Sequence, residues 1–325
     1  MPTQYATVTA ALAAAEPGDV IEVAASYDSA DAGETFPITI TKDDISIICE
    51  VGAIFRVPSS SVAFVFYLVD GGALKYAEIT SEEGFDPEDA DTLGDLGVLI
   101  KESTDVVVEG NVIHDLLSGI RLILASGNTL KKNELYNIGR VVEGKRTGIG
   151  IFLEKSDGNT LSGNEVYDSG EGLFLFESDN NTVLGDSYHD NDQMGANLND
   201  SNENTLEDLY VADNGTWGVR FMFADGNVLR DSEIAGNALG GVELAASVDN
   251  EIRDNYIHDN GTDTQRDNIQ VVVTGGDKAI FRAPDVFNPP EDELGPIDDI
   301  RASAAYRKHV VEVLARRLLS EGKEK

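Results

Sequence analysis

Two recurring sets of residues in this chain have types and spacing that suit chemistry. Arg121, Phe152, Phe174, Asn197, Arg220 and Glu243 follow one another at intervals of 31, 22, 23, 23 and 23 residues. A companion series two positions on reads Ile123, Glu154, Phe176, Asn199, Met222 and Ala245. Laid side by side they make a face of aromatics, amides, arginines and carboxylates, the groups that hold sugar rings and hydroxyls. Its expected ligand-binding residues are Arg121, Phe152, Phe174, Phe176, Asn197, Asn199 and Arg220. The second set, Tyr136, Tyr167, His189, Ala212, Ala235 and His258, is followed at each step by Asn137, Asp168, Asp190, Asp213, Gly236 and Asp259. Histidine beside a carboxylate suits general acid and base work, and stacked Asp168, Asp190 and Asp213 suit calcium. Arg140, Lys145 and Arg146 form a basic cluster that would neutralise the carboxylate of an acidic sugar. Glu154, Glu177 or His189 would then take the adjacent proton, as lyases and epimerases require. The catalytic candidates are therefore Glu154, His189 and Arg140.

Each set also has a plainer reading. The phenylalanines form an apolar patch of the kind that a tail or a subunit partner covers. The His–Asp series recurs with the repeat, and a polar turn is needed on every coil, whereas a catalytic constellation breaks a repeat.

What must position these residues is a unit written about five times between Gly148 and Gly261. Aligned on one asparagine, it gives Asn128, Asn159, Asn181, Asn204, Asn227 and Asn250. The long first interval holds an insertion around Arg140 to Thr147, which predicts a loop. Two positions after the asparagine stand Leu130, Leu161, Val183, Leu206, Leu229 and Ile252; seven after it stand Leu135, Val166, Tyr188, Val211, Ile234 and Ile257. Six before it stand Leu122, Leu153, Leu175, Leu198, Phe221 and Leu244. A unit of 22 to 23 residues holding three short strands cannot bury its own apolar side, so successive units must stack. Each apolar column then lies inside a tube, and the candidate residues, next to inward positions, point out. Asparagine at a turn tolerates left-handed backbone and can bond its copies above and below, so a ladder is expected there. The LxxLxLxxN order of a leucine-rich repeat is absent. The fold class is all-β, a right-handed single-stranded parallel β-helix.

The pattern GN-x-I/L-x-x-N-x-I-x-x-N-x-x-G-I-x-L resembles the β-helix repeats of the NosD and carbohydrate-binding/sugar-hydrolase (CASH) type over residues 98–275. The run TVTAALAAAEPGDVIEVAASYDSADAGETFPITITKDDISIICEVGA resembles the opening of related β-helix proteins, several of unknown function. The resemblance implies polysaccharide or cell-surface work without naming a reaction. Pectin-hydrolysing β-helix enzymes carry NTD, a DD pair, GHG and RIK, and no such ordered set is found here; the DPH motif of alginate epimerases is absent. Copper, which the NosD resemblance suggests, lacks a histidine-methionine-cysteine cluster.

Charge narrows the partners. The chain has 24 lysines and arginines against 59 aspartates and glutamates, a net −35. That excludes nucleic acid and anionic membranes as natural partners and handicaps polyuronates. Adaptation to high salt, which screens self-repulsion, explains the balance first, and a calcium-loaded surface second. No cofactor is required. One cysteine, Cys49, precludes an intrachain disulfide. No apolar run is long enough to span a membrane, and no basic start precedes an apolar stretch. Cytoplasmic location is the default, and secretion holds if a leader was removed.

The expected divisions are an N-terminal cap over 1–24, the β-helix over 25–276, an acidic proline-containing linker over 277–300 and a basic amphipathic helix over 301–325. The cap centres on an alanine-rich helix over Thr7 to Glu16 that covers the open tube edge. The last segment carries seven basic and three acidic residues, +4, which leaves −39 on the rest. It resembles the final helix of the FAD-binding subunits of xanthine and carbon monoxide dehydrogenases, on Asp299, Arg301, Tyr306, Arg307, Val310, Leu314, Arg316 and Arg317. Two roles stand for it: covering the last coil or the phenylalanine face, and docking a protein partner or a second copy. Function is accordingly read as binding or processing a polysaccharide, including acidic sugars, or as a non-enzymatic scaffold assembling through the phenylalanine face and this tail.

Overall fold

The computed structural model describes residues 4–261 and 270–274, together with the backbone of 280–281. The linker and basic tail, 277–325, lie outside these residues except for the strand Ile280–Phe281. Among the described residues, parallel sheets of eleven, nine and ten strands wrap one tube, a right-handed parallel β-helix. Two short helices and a hairpin, Val141–Val142 with Lys145–Arg146, are the additions.

The register follows the aligned columns residue by residue. In the first sheet Leu130 pairs with Leu161, Leu161 with Val183 and Val183 with Leu206. In the second, Leu135 pairs with Val166, and in the third Leu122 pairs with Leu153. These inward residues are fully buried, each worth about 1.5–3 kcal/mol over exposure.

The asparagine ladder forms inside the tube. Each Nδ2 donates to the Oδ1 of the copy one coil on at 3.0–3.1 Å, from Asn128 through Asn250. The backbone N–H of each donates to the same oxygen at 2.8 Å. Two further ladders stand five and ten positions on: Asn111, Asn133, Asn164 and Asp186, and Asn191, Asn214, Asn237 and Asn260. One detail corrects the expectation above. The left-handed residue is not the ladder asparagine but the one before it: Gly158, Asn180, Glu203, Gly226 and Asp249 all have positive φ. The ladder asparagine turns inward to meet amides that the corner frees.

The cap is a seven-residue helix, Val8–Ala14, shorter than an isolated helix can sustain. Residues from the first coil hold it at both ends. Glu34 accepts from the Val8 and Thr9 amides at 2.7 and 3.2 Å. Lys42 Nζ donates to the carbonyls of Leu12, Ala13 and Ala15 at 3.0, 3.3 and 2.6 Å. A carboxylate at the N-terminus and an ammonium at the C-terminus both oppose the helix dipole. The strand Val20–Val23 already pairs in parallel with Ser46–Cys49, so the tube begins within the first 24 residues.

Candidate functional site

The third sheet carries the first candidate set. Its strands Leu116–Ile123, Ile149–Glu154, Glu171–Phe176, Ala196–Asn199, Trp217–Met222 and Gly240–Ala245 are neighbours in that order. Arg121 stands beside Phe152, Phe152 beside Phe174, Phe174 beside Asn197, Asn197 beside Arg220 and Arg220 beside Glu243. Glu154, Phe176, Asn199 and Met222 form the adjacent row. All seven expected ligand-binding residues thus share one face.

At one end of that face the aromatics engage each other. Phe152 and Phe174 stack at 5.0 Å with planes 6° apart, and Phe176 leans on Phe174 at 6.3 Å and 50°. The Arg121 guanidinium lies 4.9 Å over Phe152 and its Nη2 donates to Glu154 Oε2 at 2.6 Å. The ring faces of Phe152 are therefore occupied, so a ligand meets ring edges there.

The other end is polar and incompletely bonded. Asn197 is only 7% exposed; its Nδ2 reaches Glu171 Oε2 at 3.4 Å, and its Oδ1 has no partner. Arg220 Nε lies 2.8 Å from Glu243 Oε2 as an ion pair, but out of line for a hydrogen bond, so both atoms lack one. Arg121 Nε, Asn199 Oδ1 and Thr216 Oγ1 complete the set of buried side-chain polar atoms without a hydrogen bond among the described residues. Five of the six atoms sit in this sheet's outward rows, and Thr216 immediately precedes its strand Trp217–Met222. Orphaned buried polar atoms are rare, and each costs about 1–3 kcal/mol. All six lie on this face or at its edge.

Three of these residues, Glu171, Thr216 and Glu243, were not among the expected ligand-binding set. Burial pushes the Glu171 carboxyl above its ordinary range, against the Asn197 amide and the Arg220 charge. Its signal was a broken column: ten before the ladder asparagine the chain reads Ile149, Glu171, Met194, Trp217 and Gly240.

The second candidate set lies on the second sheet. His114, Tyr136, Tyr167 and His189 stack in sequence at 4.8, 5.3 and 5.3 Å. His189 is held on both sides, Nδ1 at 2.7 Å from Asp190 and Nε2 at 3.1 Å from Glu165. Burial alone would lower its pKa, but the two carboxylates prevail and raise it. His114 and His258 repeat the arrangement with Asp115 and Glu78, and with Asp259 and Glu233. Asp168, Asp190 and Asp213 do form one column, and each has positive φ. The column recurs because aspartate, asparagine and glycine tolerate that corner.

The catalytic candidates do not converge. Glu154 lies on the third sheet, ion-paired to Arg121, and His189 on the second. Arg140 is exposed at the mouth of the hairpin. Arg146 spends its guanidinium on Asn137 and on the Gly139 carbonyl.

Solved structures with this fold are distant in sequence. Bacteriophage CBA120 tailspike protein 2 gives a TM-score of 0.59 at 13% identity over 78% of this chain and 42% of that one. DFA-IIIase from Arthrobacter chlorophenolicus A6 gives 0.58 at 14% identity over 80% and 70%. The A-module of the Azotobacter vinelandii mannuronan C-5 epimerase AlgE6 gives 0.52 at 15% identity over 87% and 94%. No curated protein matches the chain in sequence. Residues 2–54 match a family model described as a protein of unknown function (DUF1565). A second model, described as periplasmic copper-binding protein (NosD), matches residues 89–273.

The described residues do not fit a copper centre, which draws on histidine, cysteine and methionine. Cys49 is buried in the core. His114, His189 and His258 are each flanked by carboxylates, and Tyr136 and Tyr167 separate the first two in the stack. Among the described residues no group of three His, Cys, Asp or Glu side chains could hold a metal ion, and no helix is long and apolar enough to cross a membrane. What the match establishes is descent and repeat: it spans more than half of the chain, and the protein belongs to the NosD family.

Proposed function

We propose that this protein binds or processes a polysaccharide laid along the outer face of the third sheet, from Arg121 to Glu243. The observation that carries the reading is the confinement of the unpartnered buried polar atoms to that face and its edge. The fold's neighbours support it: one is named an epimerase of mannuronan and another was crystallised as DFA-IIIase with GF2. Of the catalytic candidates, Glu154 shares the face, and Glu171 joins it as a carboxyl held protonated to higher pH than usual. The test is a glycan and polyuronate array at low and high salt with the wild type and an Asn197→Ala, Asn199→Ala variant. Binding by the wild type that the variant loses is expected. Binding to no glycan at either salt, or equal binding by the variant, overturns the reading.

A second reading keeps one observation on its side. The half-buried edges of Phe152, Phe174 and Phe176, with Phe223 55% exposed in the same sheet's margin, also suit an assembly surface. Sedimentation that shows self-association lost on Phe174→Ala, Phe176→Ala favours that scaffold role.

A further inference from the structure

We infer that the polar end of this face takes a neutral, hydroxyl-rich saccharide and discriminates against uronates. The inference rests on the reading that the face binds a glycan, and it names which kind. Its first support is the hydrogen-bonding character of the orphaned atoms. At that end Asn197 Oδ1, Asn199 Oδ1 and Glu243 Oε2 accept, Arg220 Nε donates, and Thr216 Oγ1 does either. The Asn197 orientation is set by its amide reaching Glu171. A sugar hydroxyl donates and accepts, so a row of hydroxyls can satisfy all of these atoms. A carboxylate only accepts; it would serve Arg220 and the threonine and set its oxygens against three acceptors.

Charge gives the second support. Both arginines are already neutralised within the face, Arg121 by Glu154 at 2.6 Å and Arg220 by Glu243 at 2.8 Å. Glu171 adds a further carboxyl, so with both pairs formed the site carries no surplus positive charge whether Glu171 is protonated or ionised. Of the hairpin's cations, Arg146 is committed to its own loop. An arginine already paired to a glutamate offers an anion little net charge, and polar groups left unmatched by the wrong ligand are what make such sites selective.

The whole-chain charge of −35 would repel polyuronates anyway, so the local preference must be read where that field is screened. At molar salt the screening length is about 3 Å. Isothermal titration of the intact chain at low and at molar salt would use an inulin-type fructan, a β-glucan and a mannan as neutral probes. Alginate and polygalacturonate would be the charged ones. The expected result is binding to at least one neutral probe at both salts, lost in the Asn197→Ala, Asn199→Ala variant, with no uronate bound at molar salt. In the Glu243→Gln variant, which frees Arg220, the uronate-to-neutral affinity ratio rises about tenfold. Uronate binding by the wild type at molar salt that the asparagine variant loses overturns the inference and leaves the glycan face standing. Binding to no probe overturns both. The wild-type comparison decides even if a variant fails to fold.

Discussion

Asp186 offers the most direct test of how this tube is held together. It occupies an asparagine position in the second inward ladder and is 1% exposed. Asn164 donates its amide N–H to Oδ1 at 2.8 Å and its Nδ2 to Oδ2 at 3.1 Å, and Tyr188 donates its hydroxyl to Oδ2 at 2.8 Å. On the next coil the ladder position is Leu209, which offers no acceptor. An asparagine at 186 would aim its own donors at that leucine, whereas a carboxyl group needs only what Asn164 and Tyr188 supply. Burial still outweighs these hydrogen bonds and pushes the carboxyl up from 3.8 to about 6. The folded state therefore holds the proton more tightly than the unfolded one. That contribution is complete below the unfolded value near 3.8 and is lost as pH rises through about 6. A shift of about two units corresponds to about 3 kcal/mol. The perturbation is Asp186→Asn, which cannot titrate. Urea unfolding of both proteins at matched pH, followed by the single buried tryptophan, Trp217, gives a stability difference from which all other carboxylates cancel. That difference should move in the variant's favour by about 2.4 kcal/mol between pH 4 and pH 7, on top of a pH-independent cost from the stranded amide. A difference that stays flat with pH, or that moves against the variant, refutes the account of a strained buried carboxylate.

Two other changes probe the ladder and the second sheet. Asn204→Ala removes the donor to Asn227 Oδ1 at 3.0 Å and the acceptor for Asn181 Nδ2 and N–H; stranding those groups should cost about 2–4 kcal/mol in denaturant unfolding, and a loss below ~0.5 kcal/mol would mean the ladder is ornamental. Asp190→Ala takes one of the two carboxylates from His189, so its imidazole should titrate at lower pH than in the wild type, read by NMR of the ring protons, with an unchanged titration counting against the clamp.

The columns were legible because one period governs everything inside the tube. Once Asn159 and Asn181 are aligned, the inward partner of Leu153 can only be Leu175, and the outward partner of Phe152 can only be Phe174. What period cannot reveal is a residue that departs from it. Glu171 sits in a column of Ile149, Met194 and Trp217, and its importance comes from a contact to Asn197 on the next strand. The clamp of Glu34 and Lys42 on the first helix is likewise a meeting of residues that no local pattern joins. The left-handed corners were assigned to the wrong residue for a related reason: asparagine suits both the positive-φ position and the ladder, and sequence alone does not say which role each copy takes.

The two outward faces differ in how far their polar groups are satisfied within the chain. Both carry aromatics and charged groups in register, and both looked chemically capable from sequence. On the second sheet both ring nitrogens of His114, His189 and His258 meet carboxylates and Tyr167 donates to Glu134 at 2.9 Å, so a ligand of the histidine stack would have to break bonds already made. On the third sheet the phenylalanine end is also self-stacked, but from the next coil on the chain leaves buried donors and acceptors together without hydrogen-bond partners. A solenoid satisfies its interior by repetition at every coil, so a stretch where repetition stops and satisfaction stops with it has to be completed from outside. The proposed glycan face therefore rests on missing partners, which the histidine stack of the neighbouring sheet does not show.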